Sequence, residues 1–523
     1  MIPVIVLGIY LVIVAYIGSV AFRRGKENTE DFFLAGRSIG PMVFFLSIFA
    51  TNMTAFAIIG SSGQSYRQGI GIYGLMASSS GLVIPLSIFF IGTRLWALGK
   101  KFGHMTQVAF FRDRWECDSI GTVIFTLSAV MLVPYMIISI MGGGIVLQDI
   151  SATKGSAPLI PYQLGCAIVA VVVTVNVFFG GMRGTVWVNI FQTILFLCFG
   201  FVAVAVISHA VEGGLSEYMT KLAGNVKTAS LLTREKMPER FFWSYTLIPL
   251  SSIMFPHMAI MCFSAEKVTA FKRTVIIYPI AIMLIWLPCV FLGVIGAQLI
   301  PGLKDPDGIL LQLLAKFAPA WLAGLLGAGI ISAVMGSDAH QVLALSTMFT
   351  KDIFTHYGGR EKYGEKGAVF FARAFIVVVT AVAYFIALYL KEKQGIFEIA
   401  VRFAFSGFAA MAPVMIAALF WKRSTKYGAL ASTLFVAGCL VFFAILQNQH
   451  KPNEVIWTVG EGANAIKMFA LAPNGDLRFW NGFMTVVPMV IGSTICMVLF
   501  SLITRPPSAK TIEKYFWKNL KTS

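Results

Sequence analysis

The sequence predicts an all-α polytopic membrane protein, and three observations support this fold class. Hydrophobic residues make up 57% of the chain and charged residues only 12%, and the mean hydropathy is +0.79. Apolar runs of roughly 20 residues, long enough to cross a bilayer, recur along the sequence. Most Lys and Arg residues, which give a net charge of +17, lie in short loops between these runs. We therefore expect membrane lipid around the chain and no nucleic-acid partner.

Thirteen apolar runs qualify as transmembrane helices. They cover approximately residues 2–22, 41–62, 70–98, 119–147, 160–180, 185–209, 241–263, 274–300, 319–348, 368–390, 396–421, 427–446 and 484–504. An excess of Lys and Arg in alternate loops predicts an outside N-terminus and a cytoplasmic C-terminus in an inner or plasma membrane. We expect a single transmembrane domain over residues 1–505 and a short basic cytoplasmic tail over 506–523.

The sequence contains no motif that indicates a catalytic or metal-binding function, either in the apolar runs or in the segments that connect them. Two longer outside loops, near 210–240 and 447–483, carry mixed charge and aromatic residues and are expected to be ordered, as lids or as spacers. No catalytic triad, zinc-ligand spacing or nucleotide-binding loop appears, so we do not expect an enzyme.

Two of the predicted helices are interrupted. The second carries Thr51, Asn52 and Thr54 at its centre, and the seventh contains Pro249 and Pro256. Proline removes a helical hydrogen bond, and small polar residues at bilayer depth are typical of unwound backbone around a bound solute or ion. The alternative for the second helix is a continuous helix that packs through small residues.

The spacing of the two interruptions predicts an internal repeat. Breaks five helices apart are expected from two inverted five-helix units, over residues ~41–209 and ~241–421, with one extra N-terminal and two extra C-terminal helices. In such bundles, solute and coupling ion bind between the breaks.

Several ionisable side chains lie at membrane depth, where a charge costs roughly 3 kcal/mol. Asp338, His257 and His340 need a polar cavity or a partner, and a hydrogen bond or ion pair to a neighbouring helix would satisfy Asp338 equally well. Glu398 and Arg402 share a helix face, so either they pair with each other or Arg402 pairs with an anionic solute.

Five stretches of the sequence resemble the sodium/solute symporter family, which includes proline, pantothenate, sugar and sialic acid symporters. They are Asp31–Arg37, Gly180–Arg183 with Trp187 and Gln192, Met254–His257, Ser346–Phe354, and Phe420–Arg423 with Tyr427–Leu430. Their order and spacing resemble the family from about residue 5 to 445. The resemblance implies a LeuT-like inverted-repeat core and solute uptake driven by sodium.

The resemblance also implies a sodium site between the second and ninth helices. Its positions in this sequence are Ala50, Met53, Ala333, Gly336 and Ser337. Gly336 stands where the family usually has Ser, and Asn189 stands where an Asp usually lines the ion exit route. Asp338 is a candidate for the missing oxygen and charge. Weak sodium binding, proton coupling through Asp338 and uncoupled transport stay open.

The resemblance places the solute among three helices. The substrate-binding positions are Asn52, Thr54, Ala57, Ser78, Ser79, Tyr245 and Ser252, and Arg402 joins them if it faces the cavity. The serines could equally be small residues at a helix crossing. Ala57 argues against a polyhydroxylated solute, and Arg402 argues for a carboxylate. The sequence thus predicts sodium-coupled uptake of a small carboxylate or zwitterion; a solute-sensing, uncoupled or proton-coupled protein on the same scaffold is the alternative.

Overall fold

The computed structural model describes residues 2–23, 29–152, 158–211, 213–391, 395–460 and 465–516. The first half contains α1 (Ile2–Arg23), α2 (Thr29–Leu34), α3 (Pro41–Asn52), α4 (Ser61–Gln68), α5 (Gly71–Ser87), α6 (Thr93–Phe102), α7 (Gln107–Trp115), α8 (Asp118–Ser151), α9 (Tyr162–Ala210), α10 (Gly214–Gly224) and α11 (Val226–Ala229). The second half contains α12 (Glu239–Tyr245), α13 (Ser251–Met254), α14 (Pro256–Ser264), α15 (Thr269–Leu299), α16 (Ile309–Phe317), α17 (Ala320–Met348), α18 (Gly359–Leu390), α19 (Ile396–Ile399), α20 (Ser406–Phe420), α21 (Lys426–Gln449), β1 (Val455–Val459), β2 (Ile466–Leu471), β3 (Leu477–Phe479), β4 (Phe483–Met484), α22 (Val486–Ile503) and α23 (Ala509–Tyr515).

The helices form a membrane-spanning bundle. By length and composition, the described residues contain ten helices able to cross a membrane, or up to twelve if each of two bent pairs is one span. Large apolar side chains such as Val12, Ile280 and Phe385 are exposed on its outer surface, as expected for contact with lipid. The protein is therefore a multi-pass membrane protein.

The count of thirteen spans depends on α9. A straight helix of its 49 residues would measure about 74 Å, more than twice a bilayer core of about 30 Å. The backbone turns at Gly181, where φ is +52°. A Cβ there would lie 2.6 Å from the Phe32 carbonyl oxygen, so the turn requires glycine. Dividing α9 at this residue gives the two predicted spans, and the total of thirteen stays a prediction.

Both predicted interruptions are present. The chain bends by 61° between α3 and the helical segment Phe56–Gln68, and Met53 at the bend is extended, with φ −90° and ψ 102°. A second bend of 49° separates Glu239–Met254 from α14, where extended Phe255 precedes Pro256 at the first helical position. Proline is favoured there because its missing N–H has no helical acceptor.

The loop over 447–483, which the charge distribution predicts to lie outside, departs from the all-α expectation; its sheet is called the outer sheet below. Its strands form an antiparallel sheet in the order β1-β2-β3-β4, with Phe469 opposite Phe479. Phe469 is buried and lies 6.0 Å, between ring centroids, from Phe443 of α21. The aromatic residues of this loop thus attach a small sheet to the end of the bundle. The other long loop contains α10 and α11.

The C-terminal tail contains an ordered helix, α23, that packs against α7. Lys514 Nζ lies 2.7 Å from both carboxylate oxygens of Asp113, and the Tyr515 hydroxyl also donates to Asp113. The ring of Tyr515 packs 5.9 Å from that of Phe110. Residues 517–523 of the predicted tail lie outside the described residues.

Candidate functional site

The break in the second predicted helix lies directly against α17. Ser337 Oγ donates a 2.9 Å hydrogen bond to the carbonyl oxygen of Thr51, in the last turn of α3. Gln341 Nε2 in turn donates to Ser337 Oγ at 2.8 Å. All three residues are fully buried. The structure thus brings together the two elements expected to supply the sodium site, with the carbonyl end of α3 facing a serine hydroxyl.

Gly336 points toward α9 instead. A Cβ built on it would lie 2.9 Å from Asn189 Oδ1 and 2.9 Å from Gln192 Oε1. Neither oxygen has a hydrogen-bond donor among the described residues, although Asn189 Nδ2 lies 2.9 Å from His340 Nδ1 and Gln192 Nε2 donates to the Tyr10 hydroxyl. Two buried amide oxygens therefore converge on the space that a serine side chain would fill.

These oxygens fit a sodium ion chemically. A hard cation binds carbonyl and hydroxyl oxygens, and buried oxygens without donors are unusual unless they have such a role. Gln192 was not predicted as a site residue. Its spacing of three from Asn189 places both on one helix face, which is the signal that could have identified it.

Asp338 is an acidic side chain in the middle of the bundle. It is completely buried, and neither carboxylate oxygen has a hydrogen bond in the part of the chain that the structure describes. The hydrogen bond or ion pair to a neighbouring helix that would have made it structural is therefore not found among those residues. An unpaired buried carboxylate is costly, so Asp338 is either uncharged or compensated by a cation.

A small cavity of about 30 Å³ lies between the two breaks. It is lined by Asn52, Met53, Phe56, Ala57, Ser80, Ile84, Tyr135, Tyr245, Ile248, Pro249, Ser251, Ser252, Phe255, Trp286 and Phe405. This set includes four predicted substrate positions and, among the described residues, no charged side chain. Asn52 Nδ2 donates to the Tyr278 hydroxyl at 2.7 Å. The volume admits one or two waters, so the walls must separate to admit a solute.

Four predicted substrate residues do not line this cavity: Thr54, Ser78, Ser79 and Arg402. Ser78 is exposed and donates to the Gly74 carbonyl oxygen, and Ser79 donates to Leu75 of its own helix. Their neighbour Ser80 lines the cavity, because only one of three consecutive helical residues faces it. Thr54 is buried, and its hydroxyl accepts a 3.0 Å hydrogen bond from the Phe56 N–H. Thr54 thus caps the second half of the broken helix.

Arg402 does not reach this cavity. It pairs with Asp476 beside the outer sheet, at 2.5 Å, while Glu398 lies 3.4 Å from Arg67. Glu398, Arg402 and Asp476 line a separate cavity of about 20 Å³. The predicted pair between Arg402 and Glu398 is therefore wrong. The predicted contact of Arg402 with the solute stays a prediction, and Arg402 does not line the cavity between the breaks. The sheet that supplies its partner was not visible in the sequence.

Aromatic side chains complete the wall of the cavity. Tyr135 packs 5.2 Å from Phe255 and 5.1 Å from Phe405. His257 stacks on Phe255 at 4.9 Å, and neither of its ring nitrogens has a hydrogen-bond partner in the described structure. Tyr135 and Trp286 were not predicted as site residues, since nothing in their apolar helices distinguishes them from packing residues.

Comparison with known proteins agrees with this architecture. The sodium:solute symporter family model matches residues 32–436. A sodium/pantothenate symporter from Escherichia coli is 26% identical over 84% of this chain and 89% of its own length. A sodium/proline symporter from Staphylococcus aureus is 25% identical over 97% of this chain and 93% of its own length.

Solved structures show the same fold. A substrate-bound, outward-open Na⁺-coupled sialic acid symporter aligns with a TM-score of 0.73 at 16% identity, over 97% of this chain and 99% of that chain. Mhp1, a nucleobase-cation-symport-1 transporter, in a closed conformation, gives 0.57 at 14% identity, over 92% and 97%. These likenesses support the LeuT-like fold class. With the family model covering most of its length, this chain belongs to the sodium:solute symporter family.

Proposed function

We propose that the protein is a secondary active transporter that couples sodium to uptake of a small zwitterionic or carboxylate solute by alternating access. Family membership and the fold support sodium-coupled transport of small solutes. The observation that carries the proposal is the Ser337–Thr51 hydrogen bond, which joins the unwound helix to α17. Because this contact lies at the bend, binding or release of the ion would change the angle between the two halves of the broken helix.

The proposed sodium site combines backbone and side-chain oxygens. The carbonyls of Ala50, Met53 and Ala333 and the hydroxyl of Ser337 supply neutral ligands, as the family resemblance implies. In place of the hydroxyl that Gly336 lacks, the unpartnered oxygens of Asn189 and Gln192 approach the same space. Asp338 supplies the compensating charge, and Asn189 lies on the exit route.

The cavity supports a solute without net charge. Its described lining holds no ion to balance a free anion, so a carboxylate needs either its own ammonium group or the co-bound sodium. The second halves of both broken helices begin beside the cavity, at Phe56 and Pro256, and helix N-termini favour a carboxylate. Relatives are named for proline, which is a zwitterion, and for pantothenate, a carboxylate. We therefore favour a small zwitterion.

Alternating access follows from the two hinges. Met53 and Phe255 are the extended residues at the bends, and the closed cavity lies between them. Rotation of the helix halves about these residues would open the cavity toward one side at a time.

We further propose an outside N-terminus and a cytoplasmic C-terminus, which the Lys and Arg distribution supports.

Uptake by the purified protein in liposomes tests this function. We expect an inward sodium gradient, but not a potassium gradient, to accumulate one member of a panel of labelled zwitterions and carboxylates. Asn52→Ala in the cavity should reduce uptake, whereas Ser78→Ala on the exposed face of the neighbouring helix should not. Accumulation driven by a proton gradient alone, or saturable binding without uptake, would contradict sodium coupling and favour the alternative functions.

A further inference from the structure

A second cavity, remote from the transport site, lies on the face that carries the C-terminus. Its volume is about 310 Å³, and it is lined by Arg114, Trp115, Glu116, Thr425, Lys426, Tyr427, Arg505, Pro506, Pro507, Ser508 and Thr511. These residues come from the end of α7, from the start of α21, and from the segment that joins α22 to α23 together with the first turn of α23. Three elements distant in sequence therefore enclose one space.

Arg114 is the buried cation of this cavity. It is 0% exposed. Its Nε donates to the Ala418 carbonyl oxygen at 3.0 Å, and its Nη2 donates to Trp421 and Ser424. Its Nη1 has no hydrogen-bond partner among the described residues. Burial lowers the pKa of Arg114 to about 10, the direction expected of a buried cation without a carboxylate partner.

The rest of the lining adds positive charge. Lys426 and Arg505 lie at the rim, and the structure shows no ion pair for either in the part of the chain it describes. The one acidic lining residue, Glu116, accepts a hydrogen bond from the Thr511 hydroxyl. Among the described lining residues, three cations against one carboxylate leave an excess of positive charge around the space.

The position of the cavity is interfacial. It lies at the ends of α21 and α22, whose exposed faces are apolar, with Leu434 57% and Ile503 67% exposed. These are the surfaces expected to face lipid, so the cavity lies where the lipid headgroups begin. Arg and Lys at this depth are the side chains that bind anionic headgroups.

We propose that this cavity binds a phosphate group, held by Arg114 Nη1, Lys426 and Arg505. Arginine presents a planar fork of donors that matches phosphate oxygens, and a charge-assisted hydrogen bond would satisfy the nitrogen that the fold leaves open. The group belongs either to an anionic phospholipid or to a free phosphate. Because the lining joins α7 to the segment before α23, the bound anion also stabilises the docked C-terminal helix.

Thermal unfolding of the full chain in neutral detergent tests the site. Potassium phosphate, dihexanoyl phosphatidylglycerol and dihexanoyl phosphatidylcholine are titrated separately at constant ionic strength. We expect saturable stabilisation by phosphate, by phosphatidylglycerol or by both. Phosphate alone identifies a free anion, phosphatidylglycerol alone identifies a lipid, and each outcome supports the site. Stabilisation by neither, or equal stabilisation by the zwitterionic phosphatidylcholine, would overturn it.

Substitutions at the rim locate the effect without disturbing the fold. Arg505→Gln and Lys426→Gln should each raise the half-saturating concentration about tenfold, as expected for the loss of one charge-assisted contact. Arg273→Gln, which removes an exposed arginine elsewhere on the same face, should leave it unchanged. If the rim variants and Arg273→Gln behave alike, the stabilisation does not arise from this cavity.

Discussion

Asn189, Gln192 and Asp338 each carry a buried oxygen without a donor in the described part of the chain. Two of them flank the space beside Gly336, and the third follows Ser337 in sequence. A protein interior rarely leaves such groups unsatisfied. At the scale of single residues, the proposed transported cation would satisfy these oxygens when it binds, which a purely structural role for the three side chains would not do.

Asp338→Asn tests whether the carboxylate contributes charge. The amide is nearly the same shape but cannot balance a cation, so we expect the apparent sodium affinity of transport to fall about tenfold. The sodium dependence of initial uptake rates measures this. Asp118→Asn, at a carboxylate that is 73% exposed, is the control and should change nothing. Wild-type sodium dependence in Asp338→Asn would show that Asp338 is a neutral structural acid.

Gly336 gives a second residue-scale prediction. Alanine brings a Cβ within 2.9 Å of the Asn189 and Gln192 oxygens, and we expect a loss of about 1–3 kcal/mol in stability. Serine should cost less, because its hydroxyl can donate to those oxygens. Thermal unfolding measures both, and Gly8→Ala, where a Cβ meets nothing within 4 Å, should not destabilise. Equal unfolding temperatures for the alanine and serine variants would contradict the proposed contact.

At the scale of elements, the four-stranded sheet is fixed to one of the two broken helices, through α12, and to the helical segment Ala400–Phe405 that leads into α20. Asp476 pairs with Arg402 beside α20 and lies 3.3 Å from Arg478. The Met484 N–H donates to Ser244 Oγ in α12 at 3.0 Å, and Arg240 donates to the Asn481 carbonyl oxygen. A sheet held by these bonds over the outer ends of α12 and α20 can restrain the movement that opens the cavity.

Asp476→Asn should therefore weaken the attachment of the sheet and make the cavity open more readily on the side that carries the sheet. The amide weakens the attraction to Arg402, and we expect a cysteine placed at Ser80 to react faster with a membrane-impermeant thiol reagent. The measurement uses a background in which the seven native cysteines are replaced. Glu454→Gln removes another carboxylate from the same segment and should leave the rate unchanged, because Glu454 pairs with His450 and accepts a hydrogen bond from the Lys451 N–H, away from Arg402. An unchanged rate in Asp476→Asn would mean that the sheet is only a spacer.

The contact of α23 with His104, whose Nε2 lies 3.4 Å from the Tyr515 hydroxyl, predicts that stability depends on pH. Burial lowers the pKa of His104 to about 4, and Lys514 and Arg37 act in the same direction while Asp113 opposes it. The unfolded chain, with an ordinary pKa near ~6.5, takes up the proton first, so stability is full above that pH and is lost as pH falls toward 4. The unfolding temperature should drop less steeply over this range in His104→Gln than in the wild type.

A control at another histidine separates this effect from general acid sensitivity. His356 lies 3.2 Å from Asp118 and is partly exposed, so His356→Gln should keep the steep wild-type dependence. Identical slopes for the wild type and His104→Gln would contradict the assignment of the pH effect to His104.

For the whole molecule, hydropathy was enough to predict an all-α membrane protein. Small polar residues at mid-helix predicted the first break, and proline positions predicted the second. Long-range contacts were not predictable, because they depend on which helix faces meet. The pairing of Arg402 with Asp476 depends on the sheet. Its four strands are only two to six residues long, too short for the sequence pattern to distinguish them from a loop. Likewise, the sequence could not show that Ser80 rather than Ser78 lines the cavity. That depends on how α5 is rotated about its axis, and a run of three serines does not indicate the rotation.

Direct binding of radioactive sodium to the purified protein tests the central claim, that the broken helix and α17 form the ion site. We predict saturable binding that potassium does not displace, weakened about tenfold in Ser337→Ala because one oxygen ligand is lost. Ser346→Ala, which removes a buried serine of the same helix bonded to Ala372, should retain wild-type binding. Equal sodium affinity in the wild type and Ser337→Ala, or no saturable binding at all, would contradict the account.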